Sequence, residues 1–311
     1  MILPSLPASK AVDWGCAVTV CIAVLNSNGK SIVQVSDHKV SFGTEFSADY
    51  SAMKDVPFFG EYCALIAGDD VEHATPILKR AKEILCAKPL DVSPITVANA
   101  VDDAYGERLR QEISSKVLRK RGFTVESFLE KGKHKCTPSV YLNLCNRIDQ
   151  VKLSLKFLVC GFDDKGQGHI FTVDGESAPK CYDDIGMWAI GDGAPAALSS
   201  LAFHKNNLDF EIGGTEEEAV YFALAAKFMA ESSGSVGNAT FISVHNPASP
   251  VKYINLLDVQ MMRKMWEDEG CPRCPKNLGA RVKGVVKTLA ESEQMAIIAA
   301  VAEKIKKEPT L

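Results

Sequence analysis

The chain has little that would tie it to a membrane, to nucleic acid or to a disulfide scaffold. Its longest apolar stretches, Ala219–Met229 and Met295–Ala302, fall short of the roughly 20 residues that a bilayer crossing needs, and Lys227 interrupts the first. Neither charge dominates. With 35 Lys+Arg against 39 Asp+Glu the formal net charge is -4, so the molecule lacks the basic footprint of a partner for nucleic acid or an anionic membrane. The opening MILPSLPASK has no positive n-region and two prolines break its apolar part, so no secretory signal is read and a cytoplasmic location is expected. The 10 cysteines are irregularly spaced, without the density of a disulfide framework, and most are expected to be reduced and buried. The one patterned pair, Cys271 and Cys274, has no second CxxC or HxxxH to complete four zinc ligands. A plain turn is the simpler reading there, and no metal or organic cofactor is expected.

What is present is an ordinary globular composition, 46% hydrophobic and 24% charged over 311 residues, enough for one large domain or two small ones. Thr19–Leu25 (TVCIAVL) and Ser31–Ser36 (SIVQVS) are apolar runs around the turn cluster Asn26–Lys30, which reads as a hairpin. Counting outward from Asn28 brings Thr19 beside Asp37. A second strand pair is expected within Val56–Ala67, then a helix over Val71–Cys86 with Val71, Ala74, Ile77, Leu78, Ala81 and Leu85 on one face. A further helix opens at Ser93-Pro94 and runs to about Leu118. Arg119–Lys135 is basic and reads as an exposed loop or helix end. Strands are expected at Val151–Cys160, His169–Val173, Ala178–Tyr182 and Gly186–Ile190, helices at Ala194–Phe203 and Thr215–Ala230, and strands at Ala239–Val244 and Val251–Ile254. The order is α+β, with helices covering the outer faces of stacked sheets. A last helix carries the stripe Met295, Ile297, Ile298, Val301 and Ile305, suited to packing on the body or on a neighbouring subunit.

Taken singly, a Thr in a strand is ordinarily a strand residue, and an Asp and a Lys at this range ordinarily make a surface ion pair. Together with their spacing they carry a resemblance. The ordered set TVCIAVLNSNGKSIVQVSDHK (Thr19–Lys39), MKDV (Met53–Val56), ALIAGDD (Ala64–Asp70), VCGFDDKG (Val159–Gly166) and AIGDGAPAAL (Ala189–Leu198) resembles the proteasome-type N-terminal nucleophile (Ntn) hydrolases. In particular it resembles the small bacterial proteasome-like proteins that begin Met-Thr-Val/Ile-Cys-Ile-Ala. The resemblance covers Thr19 to about His245 and implies a four-layer αββα sandwich. It implies three parts of the chain: an extension at 1–18, an Ntn-hydrolase domain at 19–246 and a mostly helical extension at 247–311.

For the site, the resemblance implies Thr19 as nucleophile and Lys54 as the charge beside its hydroxyl. Asp37 would hold that lysine, and the Gly68 N–H would stabilise the oxyanion. Asp192 matches a supporting position in the turn before a helix, where it also suits a helix N-cap. Ser235 matches a supporting Ser, and Ser232, with Glu231 adjacent, stands where the family has Asp. The implied activity is threonine-type hydrolysis of peptide or unfolded-protein substrates by a homo-oligomeric ring, with an ATP-dependent unfoldase as a further partner of unknown identity. A catalytically inactive scaffold subunit and a small-amide hydrolase are the alternatives.

The mechanism needs a free α-amine at Thr19, and the residue before it is Val18 rather than the family's Gly. Valine can be encoded by GTG, a bacterial start codon, so translation from position 18 followed by Met removal would expose Thr19. Gly15-Cys16 offers another processing site, although Cys16 would overhang Asp37 by about three residues, roughly 10 Å of extended chain. Cys21 alternates to the same strand face as Thr19 and is read as packing.

Overall fold

The computed structural model describes residues 19–42, 46–49, 54–87, 92–207 and 215–270. Cys16, Val18, Met53, Cys271, Cys274 and the stripe at 295–305 lie outside these residues. The chain divides into two compact units, Met1–Met265 and Trp266–Leu311. Within the second, Trp266–Gly270 forms a short helical turn.

The first unit is an α+β assembly of antiparallel sheets and helices. β1 (Cys21–Asn26) and β2 (Ser31–Asp37) form the first hairpin. Its turn places Asn28 at φ 58°, ψ 37° and Gly29 at φ 78°, the left-handed conformations that an Asn-Gly pair tolerates best. Asn26 pairs with Ser31, so Asp37 stands opposite Val20 rather than Thr19, one residue from the counted register. A two-stranded sheet follows, β3 (Lys39–Phe42) with β4 (Phe46–Asp49), which the sequence pattern did not announce.

The second sheet begins with β5 (Asp55–Phe59) and β6 (Tyr62–Gly68) and continues through β7 (Leu155–Phe162), β8 (Gly168–Val173) and β9 (Lys180–Cys181) in that spatial order. β10 (Met187–Ile190), β11 (Thr240–His245) and β12 (Lys252–Tyr253) join the hairpin in the first sheet, ordered β10-β1-β2-β11-β12.

Alternation along the strands decides which side chains meet. Cys21, Ala23, Leu25 and Ile32 of the first sheet pack with Cys63, Leu65, Leu158, Cys160 and Ile170 of the second in one buried cluster. The opposite face of the second sheet, including Ala64, Phe157, Val159 and Val173, packs on α1 (Ala74–Cys86) and α2 (Pro94–Ile113). The expected face of α1 is buried at Ala74, Ile77, Leu78, Ala81 and Leu85. α6 (Glu216–Ala230) lies on β1 and β2, with α5 (Ala194–Asn207) against α6 and β10. α6 starts at a Thr215–Glu218 capping box.

Beyond α2 the chain differs from the sequence reading. Where a basic loop or helix end was expected, α3 (Val125–Lys135) runs from a Thr124–Ser127 capping box, and α4 (Pro138–Asp149) follows it. Their core is small: Phe128 and Leu144 with Ile113, Val117 and Leu118. So few buried positions under so many exposed lysines leave little apolar period to read. After β12, α7 (Leu256–Met265) packs on α6, where Arg263 lies 4.1 Å over the Phe228 ring.

Candidate active site

The hairpin ends where Thr19, Asp37 and Lys54 meet. Thr19 Oγ1 donates to Asp37 Oδ1 at 2.5 Å and accepts from Lys54 Nζ. Lys54 also reaches Asp37 Oδ1 at 2.6 Å, with side-chain exposures of 10% and 0% for the pair. The Val20 N–H gives the same oxygen a further bond at 3.2 Å, and the Gly237 N–H bonds the other oxygen at 3.0 Å. A buried carboxylate is tolerable only when paired and saturated in this way. Thr19 itself is 4% exposed, a buried residue rather than the surface strand end its position suggests. Its hydroxyl, between an ammonium donor and a carboxylate acceptor, is fixed in direction.

Two glycines shape the ground around it. Gly191 has φ +94°, and a Cβ there would stand 2.4 Å from the Thr19 carbonyl oxygen, so only glycine lets this turn close on Thr19. The Gly193 N–H then bonds that carbonyl at 3.2 Å. Gly68 has φ +140°, and its Cβ would fall 2.0 Å from the Ser154 carbonyl oxygen of the neighbouring chain segment. Gly68, Gly191 and Asp192 line one cleft of about 520 Å³ together with Asp69, Asp70, Asp174 and Glu176. Burial pushes the Asp69 carboxyl up, the Ser154 hydroxyl opposes this, and the charges of Asp70 and Asp192 add to the rise.

No protein-family model matches the chain, and no curated protein matches it. The site is therefore read from its geometry.

Behind Asp37 stands a group that sequence reading used only as an interruption in an apolar run. Lys227 of α6 is fully buried, and its ammonium bonds Glu231, the Gly237 carbonyl at 2.8 Å and the Asn238 carbonyl at 3.0 Å. Arg263 clasps the same Glu231 with bonds of 2.7 and 2.6 Å. Burial lowers the Lys227 pKa to about 8 against the opposing pull of Glu231. Lys227 thereby holds the loop whose Gly237 N–H reaches Asp37. A lone lysine inside an alanine-rich helix was the available signal, since such a charge persists only with buried partners.

The two expected serines bond elsewhere. Ser232 is exposed and donates to the Met229 carbonyl at 2.7 Å, while the Ser235 hydroxyl lies 2.9 Å from that of Ser233. Cys21 donates to the Ile66 carbonyl at 3.3 Å, and burial pushes its thiol up to about 12. It is a packed thiol, as its strand position suggested.

Proposed function

We propose that this chain is a proteasome-like threonine-type peptidase, built on a four-layer αββα sandwich of the Ntn-hydrolase type, with Thr19 as its nucleophile. The observation that carries the reading is the convergence of Thr19 Oγ1, Lys54 Nζ and the saturated Asp37 carboxylate beside a glycine-lined cleft. Two sheets sharing one core, with helices on the second sheet's outer face and α6 on the first, support the sandwich.

Removal of residues 1–18 would leave an α-amine on the same residue as the nucleophilic oxygen. With an ordinary pKa of about 8, that amine accepts a proton close to neutral pH. Thr19 Oγ1 attacks the substrate carbonyl carbon and its proton passes to the α-amine, while Lys54 faces the developing alkoxide and the Gly68 N–H the oxyanion. Collapse of the tetrahedral intermediate breaks the C–N bond, and the α-ammonium protonates the leaving amine. Water, losing its proton to the same α-amine, then releases the acid from the Thr19 ester. Asp37 stays ionised and positions Lys54. The resemblance extends the proposal to peptide or unfolded-protein substrates, a homo-oligomeric ring and a cytoplasmic location; among the described residues no helix is long and apolar enough to cross a membrane.

The test is the intact mass and first residue of the purified protein, together with peptide turnover by the Thr19→Ala and Lys54→Ala variants. A chain starting at Thr19, with turnover lost in both variants, is the expected result. Turnover surviving Thr19→Ala refutes the assignment, and an uncleaved, inactive chain transfers it to a scaffold subunit. Comparing peptides with small acyl amides separates a peptidase from a small-amide hydrolase.

A further inference from the structure

A second group of chemistry-bearing side chains lies between the two sheets, beginning one residue along the chain from Lys54. Asp55 begins β5, Cys63 follows on β6 and His245 ends β11. Asp55 pairs with Leu65 and Pro57 with Cys63, so strand alternation turns Asp55 and Cys63 to the face that packs on the first sheet. From that sheet, Gln34 and Ser243 stand opposite each other, and His245 shares their face two residues on. Gln34 Nε2 donates to Cys63 Sγ at 2.8 Å, Ser243 Oγ donates to Asp55 Oδ2 at 3.3 Å, and Ser243 Oγ lies 2.9 Å from His245 Nε2.

One ligand atom each from Asp55, Cys63 and His245 lie within 4.8 Å of one another, and all three residues are buried. Asp55 is 6% exposed, yet its Oδ1 is buried with no hydrogen-bond partner. An orphaned carboxylate oxygen in a native interior calls for an explanation. A hydrogen-bonded Asp–His pair leaves that oxygen without a partner, while the adjacent thiol accepts from Gln34 and donates to the Cys160 carbonyl at 3.6 Å. A divalent cation held by both carboxylate oxygens gives Oδ1 its partner and takes the sulfur in place of the thiol proton.

The dimensions and charge select the ion. Asp55 Oδ2 and His245 Nε2 are 3.5 Å apart, close to the roughly 3.4 Å that separates two ligands each about 2.0–2.1 Å from a tetrahedral zinc. A carboxylate and a thiolate cancel the charge of a divalent ion, and a neutral imidazole completes three ligands without adding charge to a buried site. Thiolate with imidazole favours zinc over the hard cations that take oxygen alone. A cleft of about 170 Å³ lined by Cys63, His245, Tyr62 and Asn246 gives an entry path and room for a water as fourth ligand.

We propose that Asp55, Cys63 and His245 bind one zinc ion that ties the second sheet to the first. Binding forms a Zn–S bond as the Cys63 thiol releases its proton to bulk water, with no change of oxidation state. The proposal uses neither Thr19 nor Lys54 and stands whether or not the chain hydrolyses peptides.

The test uses the full chain, stripped with a chelator and dialysed against cobalt(II) or zinc(II). The expected result is about one ion per chain, a cobalt–thiolate charge-transfer band, and a thermal unfolding midpoint that rises with zinc. Cys63→Ala and His245→Ala should each weaken zinc binding by about 100-fold or more. The double variant Cys271→Ser/Cys274→Ser should keep both ion and band. Absence of a stoichiometric ion or of the thiolate band from the unmutated chain overturns the proposal, as does an ion lost with Cys271 and Cys274. Should Cys63→Ala fail to fold, the cobalt spectrum of the Cys271/Cys274 variant decides alone.

Discussion

Asp37→Asn is the sharpest probe of the buried site because it changes charge and hardly changes shape. In the native chain Asp37 Oδ1 receives the Thr19 hydroxyl, the Val20 N–H and Lys54, and Oδ2 receives the Gly237 N–H. An asparagine offers one acceptor atom. Placed toward Lys54, it turns its NH2 against the Gly237 N–H; flipped, it turns the NH2 against three donors. Either way at least one bond that was charge-assisted is lost, at about 1.5–3 kcal/mol, and Lys54 loses the Asp37 charge that faces it at 2.6 Å. Breaking a buried pair from one side is worth about 3–5 kcal/mol, and we expect a loss in that range by urea unfolding. Lys54→Met alone should also destabilise, since Asp37 then loses its counter-ion. The double variant Asp37→Asn/Lys54→Met should fall short of the summed losses by about 1–3 kcal/mol, because the attraction between the two charges is counted in both single losses and can be lost only once. A single-variant loss under about 1 kcal/mol, or strict additivity, would show that the pair is not desolvated and refute the reasoning.

Three further outcomes are expected. Gly68→Ala should destabilise by about 3 kcal/mol or more, since it adds left-handed strain to a Cβ 2.0 Å from the Ser154 carbonyl oxygen; an unchanged melting midpoint would exclude that close approach. Lys227, lowered by burial from 10.5 to about 8, binds fewer protons folded than unfolded between those values, so through this group stability rises with pH across that window. The unmutated chain should therefore gain on Lys227→Met between about pH 8 and pH 10, and a constant difference in unfolding midpoints would contradict the shift. Burial alone would lower the His169 pKa, but Asp183 at 2.6 Å and Asp163 outweigh it and leave the ring raised. Its contribution is complete below the unfolded value near 6.5 and fades as pH climbs through the raised value, a decline that Asp183→Asn should flatten in pH-dependent melts.

Strand and helix periods made much of the framework readable. The hairpin, α1, α2, α6 and β11 lie close to where alternation, capping residues and Ser93-Pro94 indicated. Thr19, Asp37 and Lys54 were legible as a set, although the register is off by one because the turn occupies Ser27–Lys30 and centres past Asn28. Other features were not legible, for physical reasons. Gly237 acts through its backbone N–H, which leaves no trace in residue type, and Gly191 matters for an atom it lacks. Asp55, Cys63 and His245 meet only once two sheets are stacked, so no local spacing announces them. α3 and α4 were obscured because lysines and other polar residues surround the few positions they bury.

That helical pair has a consequence of its own. Its buried apolar residues gather among α3, α4, the end of α2 and the turns after it, in a cluster that meets the core under the second sheet at the partly buried Leu109. Cooperative unfolding units follow such divisions, and a segment with few buried groups opens at lower free energy than the strands beside it. Amides of Val125–Asp149 should then exchange with deuterium well before those of β7, through an excursion that leaves Thr19 and Asp37 undisturbed. A protease added to the native chain would find its first cut there, and the two sheets should survive it as a nicked but folded body.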